Sequence, residues 1–340
     1  MAKKKTNTPP EETLLLPVHP ARTDLPDSDH TATVDTHTHL LSTFSSYQNT
    51  YKPGKHETIW DFVKAMYHGR RVEAIVDVWC EAPVMKSEWK EIADSALTKE
   101  QREKDWGGLQ YWFVMGIHPH EARNYTDAVE RDIVEAMAHP RCVGWGEIGL
   151  DYHYDSSPRE RQREVFTRQL RKAVELGKPL TIHTREAEDD TERILKAEVP
   201  NDHRTSLLPT AYEFKIHIHC YTDSPEWAAR MLAHFQNLYI GITGVITYSS
   251  NLNTSAVIRE MAPSGPLRIV LETDAPFMVP GNIYQSLPAV KGKRLPLCHT
   301  AMLPWTAEFV ARVANEAGGQ WDLESVMRIS RDNARNMYGI

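Results

Sequence analysis

The 340-residue chain lacks the features that mark secreted and membrane proteins. Its four cysteines are scattered and form no C-x-x-C pair, so we expect reduced thiols inside a cell and no disulfide framework. No apolar run approaches the roughly 20 residues that cross a bilayer. The apolar run Leu14 to Leu16 is too short for the core of a signal peptide. We therefore expect no membrane partner and a cytoplasmic location, with a nuclear location left open by Lys3-Lys4-Lys5.

An excess of positive charge is also missing. Lys and Arg number 39 against 46 Asp and Glu, which gives a formal net charge of −7. This balance argues against binding to nucleic acid over a broad surface, but it does not exclude a local basic groove at an active site. The composition, 41% apolar and 25% charged, is that of an ordinary globular protein, and a single barrel domain commonly has this length.

Two regions differ in character. Residues 1–30 contain five prolines and almost no hydrophobic periodicity, so we predict a disordered N-terminal extension there. Residues 31–340 show regular alternation, and we predict that they form one domain. Within them, the Pro- and Gly-rich segment 276–303 is predicted to lie over the C-terminal mouth of a barrel as a loop or lid, or only to connect to the final helices.

The alternation has the form of βα units, in which short β-branched runs are followed by longer amphipathic stretches. Eight strands separated by helices predict a (β/α)₈ TIM barrel, with its functional site at the C-terminal mouth. The predicted strands are 33–37, 73–79, 111–117, 142–148, 179–183, 214–219, 238–243 and 268–273. The predicted helices are 57–70, 86–104, 127–138, 159–177, 187–198, 225–236, 254–262, 304–317 and 322–338.

Potential metal ligands stand where the predicted strands end. Because side chains alternate along a strand, the two histidines at the end of strand one lie on the same face and can bind one ion together. The carboxyl ends of parallel strands meet at one rim, so four histidines and two carboxylates converge there. This set can hold two divalent ions, Mg²⁺, Mn²⁺ or Zn²⁺. The candidate ligands are His37, His39, Glu147, His183, His219 and Asp274.

The histidine signal depends on recurrence. A single histidine at a strand end is more often a hydrogen-bonded structural residue than a ligand, and one H-x-H pair is weak support. This chain has three such pairs, and its strand-end histidines recur at strands one, five and six beside carboxylates at four and eight. Recurrence favours a metal site. We expect His217, one layer below His219, to be a buried interior histidine.

Six motifs occur in a fixed order and together carry a family resemblance. They resemble the TatD family of metal-dependent deoxyribonucleases, within the amidohydrolase-type barrels, over about residues 33–340. The motifs are Asp35-Thr36-His37-Thr38-His39, Gly116-Ile117-His118-Pro119-His120, Gly146-Glu147-Ile148-Gly149-Leu150-Asp151, Ile182-His183-Thr184-Arg185-Glu186-Ala187, His219-Cys220 and Glu272-Thr273-Asp274-Ala275-Pro276.

The resemblance implies a role for each ligand. His37 and His39 would hold the first ion with Asp274 beside it, Glu147 would bridge both ions, and His183 and His219 would complete the second. Two cations clamp a phosphodiester and lower the pKa of a bridging water. Asp274 and Glu147 are the candidate catalytic residues, with Asp274 as general base toward that water. The alternative for Asp274 is to hold a ligating histidine in position.

His118 and Arg185 are the candidate substrate-binding residues. His118 could donate a hydrogen bond to a phosphate oxygen or to the leaving group, or be a turn residue fixed by Pro119. Arg185 could pair with a phosphate in bidentate fashion, or with Glu186 or Asp190.

The surroundings of the predicted site are less regular. Tyr152 and Tyr154 after strand four could stack on a base or simply pack. Asp223 stands where the family usually has glycine, and its charge would disfavour a polyanion. After strand eight, the basic cluster 291–294 could contact phosphates, and His299 could face the site. The segment could also do neither.

Three functions remain open on this basis. The first is a metal-dependent deoxyribonuclease, with single-stranded DNA or DNA ends as substrate. The second keeps the metals but acts on a small ester, lactone, amide or misacylated tRNA, and the acidic balance and Asp223 keep this alternative open. The third is a non-catalytic binding scaffold. The sequence leaves the oligomeric state open.

Overall fold

The structure, a computed structural model, describes residues 8–82, 86–200 and 214–340. In these residues, eight parallel strands follow each other in chain order around a nearly closed barrel, with helices between them. The barrel closes between its last and first strands through the bridge from Thr38 to Ala275. There, the Asp274 N–H donates to the His37 carbonyl and the His39 N–H to the Ala275 carbonyl, each at 2.9 Å. The predicted (β/α)₈ fold is confirmed.

Each predicted strand overlaps an observed one. The strands are β1 Thr33–Thr38, β2 Val72–Trp79, β3 Gln110–Met115, β4 Cys142–Asp151, β5 Leu180–Arg185, β6 Ile216–Ile218, β7 Leu238–Ile242 and β8 Ile269–Leu271. Their apolar runs are covered on both sides, as in β2, where Ala74, Ile75 and Val76 are buried. One set of side chains fills the barrel while the other meets the helices. This packing fixes the strand ends that carry the candidate ligands.

The helices differ from the predictions at three places. The predicted helix 86–104 is two helices, because Thr98 begins a new one: its hydroxyl accepts from the Gln101 N–H at 3.2 Å, and the Gln101 side chain accepts from the Thr98 N–H at 2.8 Å. A helix that was not predicted begins directly after His39, where Leu40, Phe44 and Tyr47 have helical spacing and pack in the core. A short helix, Ile283–Ser286, lies within the segment predicted to be a loop or lid. The helices are α1 Leu40–Thr50, α2 Ile59–Tyr67, α3 Lys86–Asp94, α4 Lys99–Trp106, α5 Asp127–Met137, α6 Arg159–Glu175, α7 Glu188–Glu198, α8 Pro225–His234, α9 Asn253–Met261, α10 Ile283–Ser286, α11 Leu303–Glu316 and α12 Leu323–Tyr338.

Residues 8–30 do not form the predicted disordered extension. Leu14 and Leu16 are buried in the main hydrophobic core. The Arg22 guanidinium lies 2.6 Å from the Glu324 carboxylate on α12, and the same carboxylate accepts from the Thr31 N–H at 2.6 Å. Apolar burial and a shielded ion pair offset the entropy of ordering this proline-rich stretch. Residues 1–7, including the lysines at 3–5, lie outside the described residues.

Segment 276–303 only partly covers the mouth. Met278 lines the cleft there, whereas Leu295 and Leu297 are buried in the core. His299 is also buried, with Nε2 3.0 Å from the Leu14 carbonyl oxygen, so it contacts the N-terminal segment. The suggestion that His299 faces the site is therefore wrong. In the described parts of the chain, no helix has the length and apolar character to cross a membrane.

Candidate metal centre

The end of β1 is joined to the end of β8 by a buried carboxylate. Asp35 accepts hydrogen bonds from the Thr273 N–H at 3.0 Å and from the hydroxyls of Thr273 and Thr300, each at 2.7 Å. These contacts place Asp274 beside the β1 histidines, with Oδ1 3.3 Å from His39 Nε2 and 3.8 Å from His37 Nε2. Asp274 has a φ of 50°, which a non-glycine residue keeps only where its surroundings hold it.

Glu147, in the second half of β4, lies between two groups of histidines. Its Oε2 is 3.5 Å from His37 Nε2 and 3.9 Å from His39 Nε2. Its Oε1 is 2.8 Å from His183 Nδ1 and 2.7 Å from His219 Nε2, and these two nitrogens are 3.0 Å apart. All six predicted ligands therefore meet at the mouth, with Glu147 at their centre.

Two further residues, His118 and Glu272, join this cluster. His118 Nε2 lies 3.4 Å from Glu147 Oε1, and Glu272 lies beside His37 and His219. Within the described part of the chain, three sets have potential ligand atoms within 4.8 Å of one another: His37, His39 and Glu147; His118, Glu147 and His183; and His37, His219 and Glu272.

The donor atoms fit divalent cations. Among the described residues, both ring nitrogens of His37 and Nδ1 of His219 are buried without a hydrogen-bond partner. A buried polar atom left unpaired costs about 1–3 kcal/mol, which a bound cation would offset. Imidazole nitrogen with carboxylate oxygen suits Mn²⁺ and Zn²⁺, and the carboxylates also suit Mg²⁺.

In the absence of metal, protons on His39 and His183 supply positive charge to the carboxylates of the cluster. Burial opposes protonation of His39 and His183, but the carboxylates outweigh it and raise the pKa of each to about 9. Burial lowers the pKa of His37 to about 3. Although burial raises the pKa of Glu147, the nearby histidines lower it well below its usual range. Bound cations would replace these protons.

Asp151, at the end of β4, orients a member of the cluster. Its Oδ2 is 3.3 Å from His183 Nε2 and 2.9 Å from His120 Nε2. Its Oδ1 accepts from the N–H groups of His153 and Tyr154 at 2.9 and 3.0 Å. A carboxylate that holds the second nitrogen of an imidazole fixes the ring orientation. Asp151 is the last residue of the motif Gly146 to Asp151, so this motif supplies both Glu147 and the carboxylate that orients His183.

A buried pair beneath the centre was not assigned a role from the sequence. His217 is fully buried, as expected, and its Nε2 lies 2.8 Å from Glu272 Oε2. The other Glu272 oxygen accepts from the Cys220 N–H, just after His219. Glu272 is two residues from Asp274, the same spacing as His37 and His39, and that spacing was the available signal. Gly241 leaves room for this pair, since a Cβ would lie 2.3 Å from Glu272 Oε1 and 2.6 Å from His217 Nε2.

A cleft of about 550 Å³ opens over the centre, with His183, His219 and Asp274 in its lining. Arg185 lines it too, and its guanidinium lies 4.8 Å from the centre of the Tyr154 ring. The predicted alternative partners of Arg185 are engaged elsewhere. Glu186 is 2.7 Å from His153 Nδ1, and Asp190 accepts from the Tyr152 hydroxyl at 2.6 Å. Arg185 thus presents its charge beside the cleft.

Asp223 is less repulsive than its sequence position suggested. Its side chain is largely buried and borders a second cavity of about 790 Å³ next to the cleft. Burial, assisted by the charge of Glu188, raises the pKa of Asp223 to about 7. A carboxyl group with this pKa is only partly ionised at neutral pH, so its effect on a polyanion is reduced.

The chain matches the family described as TatD related DNase over residues 34–339. It is 31% identical over 312 residues to the human 3'-5' RNA nuclease TATDN2, covering 90% of this chain and 35% of that protein, so it spans about a third of that relative. It is 30% identical to the uncharacterized metal-dependent hydrolase YabD of Bacillus subtilis, covering 68% of this chain and 80% of that protein. It is 31% identical to the 3'-5' ssDNA/RNA exonuclease TatD of Musicola paradisiaca, covering 67% of this chain and 76% of that protein.

Solved structures share the fold. An uncharacterized amidohydrolase from Saccharomyces cerevisiae has a TM-score of 0.66 at 19% identity, covering 91% of this chain and 100% of that one. The TatD homolog YJJV of Escherichia coli has a TM-score of 0.64 at 20% identity, covering 91% of this chain and 98% of that one. The family match over residues 34–339 shows that the chain belongs to the TatD-related DNase family of metal-dependent hydrolases acting on ester bonds.

Proposed function

We propose that the chain is a metal-dependent exonuclease that hydrolyses phosphodiester bonds at the 3' ends of single-stranded DNA or RNA. The observation that carries this proposal is Glu147, whose two oxygens face two histidine groups beside an open cleft lined by His183 and His219. The names of the curated relatives support the nucleic-acid substrate and the polarity.

Two divalent ions, Mg²⁺, Mn²⁺ or Zn²⁺, would be held by one shared set of residues. His37, His39 and Asp274 would hold one, and His183 and His219 the other, with Glu147 shared between them. When bound, such ions polarise a phosphodiester and lower the pKa of a water molecule. Glu147 has the charge for this role, since it stays ionised in spite of its burial.

Asp274 is the proposed general base. Although burial raises the pKa of this carboxyl, the hydrogen bond and charge of His39 lower it below its usual value. The group is therefore ionised and can accept a proton from the attacking water. Its backbone N–H, bonded to the His37 carbonyl at 2.9 Å, fixes it at the centre.

His118 and Arg185 are the proposed contacts to substrate phosphate. Burial lowers the pKa of His118 to about 4, so its ring is neutral at pH 7. Nδ1 of His118 accepts from the His120 N–H at 3.1 Å, which leaves the proton on Nε2. Nε2–H is then a donor directed into the centre, which suits a phosphate oxygen better than a metal ion. Arg185 supplies a charged donor from the edge of the cleft.

The test starts from protein stripped of metal and then supplied with Mg²⁺, Mn²⁺ or Zn²⁺. Single-stranded DNA and RNA, labelled at the 5' or the 3' end, are the substrates. We expect metal-restored release of mononucleotides from the 3' end and its loss in Asp274→Asn. Asp332→Asn, on an exposed acid of α12, is the matched control.

Equal degradation by wild type and Asp274→Asn would contradict the assigned base. Absence of degradation by the wild type, with metal bound, would contradict the nuclease. Ester, lactone and aminoacyl-tRNA substrates, run in parallel, would then identify the bond that is hydrolysed.

A further inference from the structure

We propose that Tyr154 and Phe277 are two nucleobase-stacking surfaces on opposite sides of the metal centre, with Leu252 as an apolar contact beside them. This inference rests on the proposed function, because it names the part of a single-stranded substrate that the mouth recognises.

These three side chains stand out by their exposure. Among the described residues, the most exposed large hydrophobic side chains are Leu252 at 71%, Tyr154 at 59% and Phe277 at 57%, and the next reach 40%. Isolated exposed apolar residues are normal on a protein surface. These three are concentrated in the segments that follow β7, β4 and β8, which all end at the mouth of the barrel. Their clustering at one end is what points to a ligand.

The order of the strands places the two aromatic residues across the mouth from each other. β4 and β8 are four strands apart in an eight-stranded barrel, so the segments after them face each other. Each aromatic residue is also tied to the centre through its backbone. The Tyr154 N–H donates to Asp151 at 3.0 Å, and the Phe277 N–H donates to the Asp274 carbonyl at 3.0 Å. A single-stranded nucleic acid held by both aromatic residues would pass over Glu147.

Tyr154 is arranged as a supported platform. The Arg185 guanidinium lies 4.8 Å from its ring centre, and the rings of His120 and His153 contact it in T-shaped geometry at 5.5 and 4.7 Å. These neighbours hold the ring while more than half of its surface remains exposed. The arrangement pairs a cation suited to a phosphate with an aromatic surface suited to a base.

The acidic balance of the chain favours substrate contacts that need no positive charge. A polyanion gains little from a protein with a net charge of −7, and the cavity beside the cleft is lined by Glu186, Glu188 and Asp189. Stacking needs no positive charge and accepts every base. Leu252 and Met278, which line the cleft itself, extend this apolar surface toward the centre.

The test compares oligonucleotides that carry every base with oligonucleotides that are abasic at the nucleotides flanking the scissile bond. Tyr154→Ala and Phe277→Ala are each expected to lower kcat/KM on the complete strand by roughly 5- to 100-fold, mainly through KM. On the abasic strand the same substitutions are expected to have little effect, because the contact is already missing. Tyr154→Phe and Phe277→Tyr keep a stacking surface and should retain the discrimination.

Leu176→Ala is the matched control. Leu176 is 40% exposed but follows α6, at the end of the barrel opposite to the mouth. Hydrolysis of bis(4-nitrophenyl) phosphate, measured alongside, reports on the metal centre without a base. Equal losses on complete and abasic strands, or no loss on either, would overturn the stacking inference alone. If the wild type degrades no oligonucleotide, the proposed function is contradicted, and this inference with it.

Discussion

Replacing Glu147 by Gln removes the charge between the two histidine groups and keeps the size of the side chain. The carboxylate oxygens lie 2.7 Å from His219 Nε2 on one side and 3.5 Å from His37 Nε2 on the other. We therefore expect Glu147→Gln to weaken the binding of both ions. Asp274 lies beside His39 at 3.3 Å, so Asp274→Asn is expected to weaken mainly the ion on that side.

The size of the effect follows from the short distances. Two unit charges about 4 Å apart interact by about 4 kcal/mol at an effective dielectric constant of 20, as is common for partly shielded protein groups. Since each 1.4 kcal/mol corresponds to about a tenfold change in affinity, the loss is on the order of 10³-fold for each ion. The double charge of a divalent cation increases this loss, and the Gln carbonyl oxygen, which remains a weaker ligand, reduces it.

Isothermal titration of metal-free protein with Mn²⁺ or Zn²⁺ measures both affinities. Glu186→Gln is the matched control, because it removes the same charge from a side chain that is 64% exposed at the edge of the mouth. We expect two binding events in the control and a strong loss of both in Glu147→Gln. If Glu147→Gln binds two ions with unchanged affinity, or weakens only one of them, the bridging role is refuted.

Three further predictions concern protons, packing and backbone. Because His39 and His183 have pKa values of about 9, they are protonated in the metal-free protein below that pH, so metal affinity should rise as pH increases toward 9. Titration in two buffers of different ionisation enthalpy should show about one proton released per ion, and no release would contradict the assignment. Leu14→Ala should lower the free energy of unfolding by about 2–5 kcal/mol in chemical denaturation, and a loss below about 0.5 kcal/mol would show that this segment does not pack as described. Gly149→Ala should cost roughly 3 kcal/mol or more, because a Cβ would lie 1.8 Å from the His183 carbonyl oxygen. Gly177→Ala, at a positive φ with open space, is its control, and equal costs would refute the steric reasoning.

The barrel and the ligand set were predictable because both depend on local periodicity. The two isoleucines of β6, Ile216–Ile218, and the apolar run of β8, Ile269–Leu271, identify strands even though each has only three residues. His37 and His39 share a face because side chains alternate along a strand. Since parallel strands end at one rim, the ligands of distant strands could be expected to meet.

Contacts that depend on three-dimensional packing were less accessible. β3 ends at Met115, and the turn beyond it brings His118 into contact with Glu147 on β4. The spacing of residues in the sequence does not encode this contact. The N-terminal segment has no periodicity, yet Arg22 pairs with Glu324, 302 residues away. The division of the predicted helix 86–104 could have been found, since Thr98 and Gln101 have the spacing of a capping box.

The most direct test of the metal centre is anomalous diffraction from crystals soaked in Mn²⁺. Two peaks are predicted at the barrel mouth, both within coordination distance of Glu147. One should contact His37, His39 and Asp274, and the other His183 and His219. A single peak would contradict the two-ion arrangement, and peaks only at sites away from Glu147 would contradict the metal centre itself.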